Sequence, residues 1–546
     1  MARCLYHEVQ IISDHLPDQK LKQENMSEKK NIVRAAGVLG SATFLSRIMG
    51  MIRDMVVSRL FGAGFATDAF FAAFQIPNML RRFFAEGALT SAFVPIFSAT
   101  LAKRGQDQAR ELANVCFTLL TIVMAAITLC GIIFSPWLVG LMFPGFKAVP
   151  GKFELTVLLN RVMFPYIFFI SLVALCMGIL NTIRHFLTPA ISTVFLNISI
   201  ILAAVFLRHY FEFPVTALAA GVLIGGVIQL LMQLPVLSRK GFPLRPVFRF
   251  NSPDLHNIAL LMIPSVFGVG VYYLNITVGA ILASLLPQGS VSFLYYAQRL
   301  FEFPQGIFTV SVAQAVLPSM SKQAAEGNIN GMKESLSFGL RLTLFITIPA
   351  MAGLMVTATP IFSLLFMGGE FDYAKAVNSA QALFYYSIGL AFVALTRVLA
   401  PAFYALKDTK TPVWTALAAF VLNLVFSLAL MGPMKHGGLA LATSLSACGN
   451  MLLLLWFLRR KIGPFGGKEI MASGIKSLSA TIPMAVVVFY ACNLADWSLA
   501  GHKPFKALVL GMAIASGIAV YALFARLFRS GEAMSATELI RKKLNR

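Results

Sequence analysis

Arginine occupies five positions whose neighbours are apolar enough to lie in a lipid bilayer: Arg47, Arg53, Arg81, Arg82 and Arg299. At the centre of a membrane helix each costs about 2.5–3.5 kcal/mol, so five facing lipid would cost on the order of 12–17 kcal/mol. Side chains kept at that cost are expected to face a wet cavity. Guanidinium forks bind phosphate and carboxylate bidentately. The chemistry suggested is therefore the binding of a large anion, such as a pyrophosphate or a group bearing several carboxylates. The acids nearby are fewer than the arginines, so the cavity is expected to stay net positive and to reject a lipophilic cation.

The spacing places these residues on particular helix faces. In Ser46-Arg47-Ile-Met-Gly50-Met-Ile-Arg53-Asp54, Arg47, Gly50 and Asp54 fall at i, i+3 and i+7 on one face. Arg53 lies off that face but beside Asp54. One acid cannot neutralise two arginines, which favours a cationic wall over a purely structural Arg–Asp pair. In the next segment Asn78, Arg82 and Glu86 share a face at i, i+4 and i+8. Pro77 there can bend the helix and free a carbonyl. Arg81 and Arg82 read either as cavity wall or as the cytoplasmic end of a span. Asp68 reads either as a helix-start residue favoured by the macrodipole or as a site residue. In Tyr295-Tyr296-Ala-Gln298-Arg299-Leu-Phe-Glu302-Phe-Pro304, Arg299 and Glu302 form an i, i+3 pair. That pair is either structural or part of a site shared with the earlier arginines.

The elements that must position these residues are membrane helices. Of 546 residues, 58% are hydrophobic and 12% charged, about half the charged fraction of a soluble domain. Mean hydropathy is +0.76. Apolar stretches of about 18 or more residues recur along the chain, without the alternation of a β-barrel. The fold class expected is all-α, a polytopic membrane protein. Fourteen spans are expected, near 35–58, 66–85, 111–135, 155–181, 187–207, 215–237, 257–285, 291–317, 338–366, 377–405, 412–432, 437–459, 472–494 and 505–528.

The net charge of +22 is concentrated in short loops on one side. These include Lys103-Arg104, Arg184, the Arg239-Lys240…Arg245…Arg249 linker, Lys407, Lys410 and Arg459-Arg460-Lys461. That is a positive-inside pattern rather than a nucleic-acid surface, and it puts both termini in the cytoplasm. An even number of spans agrees.

The chain repeats itself. Phe93-Val-Pro95 aligns with Val316-Leu-Pro318, Pro136 with Pro360, Leu172-Val-Ala-Leu175 with Phe392-Val-Ala-Leu395, Thr188-Pro189 with Thr411-Pro412, and Phe195-Leu-Asn197 with Val421-Leu-Asn423, all at offsets of 220–226. Six spans per half give both halves the same orientation, a parallel repeat whose substrate binds between them near mid-depth. The expected organisation is a disordered polar extension over 1–30, a first lobe over 31–237 and a basic cytoplasmic linker over 238–256. A second lobe over 257–459, an added helix pair over 460–530 and a basic tail over 531–546 follow.

Other chemistry is absent from the pattern. The six cysteines form no CxxC pair, and the seven histidines show no HExxH or similar spacing. There is no P-loop and no plausible nucleophile triad, so neither an enzyme nor a metal or cofactor site is expected. Residues 1–30 lack the apolar core of a signal peptide. Met26-Ser-Glu-Lys-Lys reads like a bacterial amino terminus, which leaves residues 1–25 as an over-called start or a tail.

These segments resemble the MurJ (MviN) lipid II flippase family of the multidrug/oligosaccharidyl-lipid/polysaccharide exporter superfamily. The resemblance is carried by Ser46-Arg47…Gly50…Arg53-Asp54, Phe61-Gly-Ala-Gly64…Thr67-Asp68-Ala-Phe-Phe71 and Pro77-Asn78…Arg81-Arg82…Phe84-Ala-Glu86-Gly87. It continues through Ala92-Phe-Val-Pro95, Tyr295-Tyr296…Arg299-Leu…Glu302-Phe-Pro304 and Ala400-Pro401…Asp408…Lys410-Thr-Pro412, and covers about residues 31–530. It implies fourteen helices as a 6+6 core, with a carboxy-terminal pair that holds the lipid tail. It also implies essential cavity arginines at Arg47, Arg53, Arg81 and Arg299.

Two departures are Gln75, where some members have lysine, and Gln298, where some have aspartate. Some members are thought to bind sodium with an acid from span 7; this span has none, so the resemblance does not carry that site. The function implied is transfer of undecaprenyl-pyrophosphate-linked disaccharide-pentapeptide between leaflets of the inner membrane by alternating access. Arg47, Arg53, Arg81, Arg82 and Arg299 would bind substrate, with Ser46, Asp54, Asp68, Asn78, Glu86 and Glu302 in support. The expected partners are lipid II and membrane lipids, with the protein acting as a monomer and membrane potential supplying direction. A flippase for another polyprenyl-pyrophosphate-linked oligosaccharide, such as O-antigen, shares the arginine chemistry. A cation-coupled drug exporter would need acids to dominate the cavity. A scaffold for wall synthesis would tolerate loss of the arginines.

Overall fold

A computed structural model describes residues 40–81, 90–306 and 310–534. Arg82, Glu86, the extension 1–30 and the end of the basic tail lie outside the described residues. Among those described there is no named strand, only one isolated bridge between Gly368 and Phe371. Eight helices are long and apolar enough to cross a membrane, or nine if one bent pair counts as a single span.

The first half starts with α1 (40–61) and α2 (Phe65–Arg81). It continues through α3 (Thr90–Arg104), α4 (Gln106–Ile133), α5 (Ser135–Met142), α6 (Lys152–Met163) and α7 (Tyr166–Thr182). It closes with α8 (Leu187–Leu202) and α9 (Thr216–Arg239). The second half holds α10 (Pro253–Ser284), α11 (Ser290–Pro304), α12 (Val310–Ala325), α13 (Ile329–Leu365), α14 (Tyr373–Ile388), α15 (Leu390–Ala405) and α16 (Lys410–Ile462). Then come α17 (Gly467–Cys492) and α18 (Lys503–Leu527), which pack on each other and on α13.

Several expected spans are interrupted or bent. Span 4 is one membrane-length helix over Lys152–Thr182, although its hydrogen-bond ladder is interrupted between α6 and α7 at Phe164-Pro165, where Pro165 has no N–H to donate. Span 10 bends by 41° at Gly389, between α14 and α15. A Cβ on Gly389 would lie 2.9 Å from Ser444 Cα, so only glycine lets α14 meet α16 there. Spans 11 and 12 share α16, whose backbone breaks at Lys435 (φ 51°) just after Pro433. Spans 1, 2 and 8 give α1, α2 and α11, none of which is long and uncharged enough to stand among the eight; they are the helices that carry the arginines. The basic linker runs extended over α4, where Asn114 Oδ1 accepts from Arg245 N at 3.0 Å and Thr118 Oγ1 from Val247 N at 2.8 Å.

The two halves share one apolar core at the end where α1 turns into α2. Val57, Phe70 and Phe71 from the first half join Phe293, Tyr296, Phe362, Phe366 and Phe371 from the second. At the opposite end the second half keeps a core of its own, from Val312 and Met320 to Leu399, Phe403 and Leu458. The start of α10 is the exception, held to α3 by Arg104–Asp254 at 2.7 Å. A third cluster joins α17 and α18.

Candidate functional site: an arginine-lined cavity between the halves

A cavity of about 640 Å³ lies between the two halves. Its charged lining is Arg47, Arg53, Arg81 and Arg299 against Asp54 and Glu302. Four arginines against two carboxylates give the net positive wall expected from composition. Ser46 and Asn78 also line it. The structure thus gathers every described arginine of the predicted set into one space.

Asp54 is the hub. It is 1% exposed and takes Arg53 Nη2 on Oδ1, at 2.6 Å, and Arg299 Nε on Oδ2, at 3.2 Å. One carboxylate from the first half therefore holds an arginine from each half. Arg53, expected off the face of Asp54, belongs to the same network because its long side chain folds back over the adjacent residue. It also donates Nη1 to Asn197 Oδ1 at 3.1 Å and Nη2 to the Tyr295 hydroxyl at 3.0 Å. Tyr295 is set by stacking on Phe71, ring centroids 3.8 Å apart. Gly50 backs the cluster: a Cβ there would meet Asn197 Nδ2 at 3.9 Å and Arg299 Nη2 at 4.0 Å.

The expected Arg299–Glu302 pair exists but is the longer of the two at 3.7 Å, and Gln298 Nε2 also donates to Glu302 at 3.2 Å. Arg81 donates Nε to Asn78 Oδ1 at 3.1 Å, one helical turn back. Arg47 is exposed in the cavity, with no carboxylate at ion-pair distance among the described residues. Its guanidinium lies where a side chain at Gly306 would point. Among described residues no cluster of three or more His, Cys, Asp or Glu could hold a metal.

Asp68 is elsewhere. It sits at the joined end, 1% exposed, bonded to Lys152 Nζ at 2.8 Å. It also accepts from the first donors of α11: Gly289 N at 2.7 Å, Ser292 N at 2.9 Å and Ser292 Oγ at 2.7 Å. A carboxylate on the positive end of a helix dipole is a stabilising arrangement. Here the helix belongs to the other half, so Asp68 is a latch between halves rather than part of the cavity. The helix-start reading found the right chemistry on the wrong helix. Backbones interlock beside it. Glu370 N donates to Arg59 O at 2.9 Å, Arg59 Nη2 to Leu365 O at 2.7 Å and the Tyr296 hydroxyl to Gly62 O at 3.3 Å. Gly62 has φ +71°, and a Cβ on it would lie 2.7 Å from Glu370 O.

Sequence reasoning missed the neutral lining: Asn197, Gln229, Asn275, Asn423, Ser427 and Thr443. It also missed Lys152. The paired Asn197 and Asn423 were visible as a repeat match, but nothing in their spacing marked them as cavity residues.

A bundle of long apolar helices built around a cationic cavity has the fold of a membrane transporter. The chain belongs to the MurJ lipid II flippase family: the family model described as Lipid II flippase MurJ matches residues 57–508. A probable lipid II flippase MurJ of Vibrio cholerae serotype O1 is 37% identical over 507 residues, covering 90% of this chain and 95% of that protein. The lipid II flippase MurJ of Burkholderia cenocepacia is 36% identical over 484 residues, covering 88% and 94%. Among solved structures, a lipid II flippase MurJ in an inward closed conformation superposes with TM-score 0.73 at 28% identity, covering 90% of this chain and 98% of that one. An inward-facing multidrug transporter of the MATE family shares the fold, with TM-score 0.64 at 16% identity.

Proposed function

We propose that this chain moves lipid II, the undecaprenyl-pyrophosphate-linked disaccharide-pentapeptide, from the inner to the outer leaflet of the bacterial cytoplasmic membrane. The observation that carries this reading is the carboxylate Asp54 shared by Arg53 and Arg299 across the halves, inside a lining with two more arginines. Asp54 cannot satisfy both arginines fully, so an incoming pyrophosphate finds guanidinium donors still short of acceptors. The anion would draw Arg299 from Asp54, and loosening that cross-half contact would couple binding to relative movement of the halves.

In this reading the chain has fourteen spans, with both termini and the basic loops in the cytoplasm. The Asp68 latch then closes the outer side, and the cavity serves the inner side. Opening outward requires Asp68 to leave α11 while keeping Lys152, its partner within its own half. The carrier acts as a monomer and makes or breaks no bond. Outward movement of an anion from a negative interior gains about 2.3 kcal/mol per charge per 100 mV, so membrane potential supplies direction or resets the carrier.

The test is exposure of labelled lipid II on the outer leaflet of cells depleted of their own flippase and carrying this chain. Wild type is expected to restore exposure and Arg47→Ala to lose it at equal membrane abundance. Restoration by both would remove Arg47 from the site. Failure of well-expressed wild type would sink the flippase reading.

A further inference from the structure

The cavity is electrically lopsided. Helices α1, α2 and α11 supply every charged group of its lining. The wall made by α10 and α16 supplies Asn275, Asn423, Ser427 and Thr443, all neutral and polar. We infer that this wall is a saccharide subsite, which takes the sugar hydroxyl and acetamido groups of the lipid-linked substrate while the arginines take its pyrophosphate. The inference rests on the flippase reading and deepens it.

Three observations support it. First, the wall is short of hydrogen bonds. Asn275 Oδ1 is buried with no partner. Ser427 is 3% exposed, and its hydroxyl has no partner among the described residues. The Asn423 amide reaches Thr443 Oγ1 only at 3.5 Å and Ser446 Oγ at 3.4 Å, and its Oδ1 accepts from no described residue. Buried polar groups left unpaired are costly, and in a cavity wall a ligand can satisfy them.

Second, the repeat gives an internal reference. Asn197 and Asn423 correspond at an offset of 226 and both line the cavity. The first copy accepts from a guanidinium, Arg53. The second has only hydroxyl neighbours. The same side chain has been kept in both halves but placed in an anion-binding setting in one and a neutral setting in the other.

Third, the chemistry sorts the substrate's parts. A diphosphate needs cationic donors, which this wall lacks. A side-chain amide offers both a donor and an acceptor, and a hydroxyl offers the same, which matches sugar hydroxyl and acetamido groups. The cavity of about 640 Å³ is far larger than a diphosphate alone fills. Phe301 and Tyr386, stacked with centroids 5.8 Å apart, add apolar ring faces to the lining beside this wall.

The test uses the purified full-length protein in lipid nanodiscs and two probes: undecaprenyl pyrophosphate, and undecaprenyl pyrophosphate bearing the disaccharide without stem peptide. Asn423→Leu and Ser427→Ala are each expected to weaken binding of the disaccharide probe about threefold to tenfold. Binding of undecaprenyl pyrophosphate should stay within about twofold of wild type, since no phosphate contact is touched. Ser427→Ala removes a single oxygen, so it keeps the test valid if Asn423→Leu fails to fold.

Equal loss on both probes, or no loss on the disaccharide probe, would overturn the subsite. So would a loss that disappears when sodium is replaced by choline, because the wall's oxygens would then be holding a cation. Arg299→Ala should weaken both probes. If wild type binds neither, the flippase reading itself fails, an outcome distinct from failure of the subsite alone.

Discussion

Two buried carboxylates tie the halves together, and they do so in opposite ways. Asp68 meets one cation, Lys152, and three neutral donors at the start of α11, so every lone-pair direction has a partner. Asp54 meets two arginines and leaves the site positive. The first is a closed account of charge and hydrogen bonds, as a clamp requires. The second leaves donors free for an arriving anion. Burial alone does not separate them, since both are 1% exposed. The ratio of donors to acceptors does.

The largest effect is expected at the clamp. Asp68→Ala strands Lys152, 2% exposed, and uncaps α11, and breaking one side of a buried pair costs about 3–5 kcal/mol. Thermal unfolding in detergent should show a large drop. Adding Lys152→Met should recover part of it, because the stranded charge is gone. A drop no larger than that of a surface aspartate would show that Asp68 does not hold the halves.

Next comes Arg299→Ala. Loss of a charge-assisted contact to pyrophosphate is worth about 1.5–3 kcal/mol, roughly a tenfold to 150-fold loss of affinity. Lipid II transport should fall accordingly at unchanged membrane abundance. If stability collapses as it does for Asp68→Ala, Arg299 is a second clamp and the contrast fails.

Tyr295→Phe should do less. It removes one charge-assisted hydrogen bond from Arg53, 3.0 Å long, worth about 1.5 kcal/mol because Asp54 and Asn197 still hold the guanidinium. Transport should drop by no more than about tenfold, with stability little changed. A complete loss of transport would mean that the hydroxyl touches substrate directly.

The smallest effect is expected outside the membrane, at Asp408. Its carboxyl is drawn down to about 2, first by the Lys461 hydrogen bond and then by Thr411 N. A carboxyl lowered by folding stabilises above its ordinary value near 3.9. That contribution is lost as pH falls from about 4 towards the folded value of about 2. The Asp408–Lys461 pair is only partly shielded from solvent, so Asp408→Asn should cost less than about 1 kcal/mol at neutral pH. It should also flatten the fall in melting temperature between those pH values. An unchanged acid profile would show that the pair contributes nothing.

Much of the fold and part of the site were legible in the sequence. Long apolar runs and the repeat at offsets of 220–226 fixed the helical class and the two-half plan, because a bilayer permits few alternatives. Arg47, Arg53, Arg81 and Arg299 stood out because charge in an apolar run needs a reason. Lys152 did not stand out, since a lysine at a helix start in a loop looks ordinary until Asp68 is brought beside it. The neutral wall was illegible for a related reason. Asparagine, serine and threonine are tolerated at many places in a membrane helix, and spacing alone does not say which of them face water.

The sequence by itself determined that this chain is a polytopic bundle of two like halves with arginines that must face inward, because the cost of charge in lipid is a property of composition and local pattern. Only the tertiary structure decided the partners. Asp54 pairs with Arg299 across 245 positions, and Asp68 caps a helix more than 220 positions away. Side-chain pairing acts over a few ångströms, and which distant residues come within that reach depends on how the two halves dock.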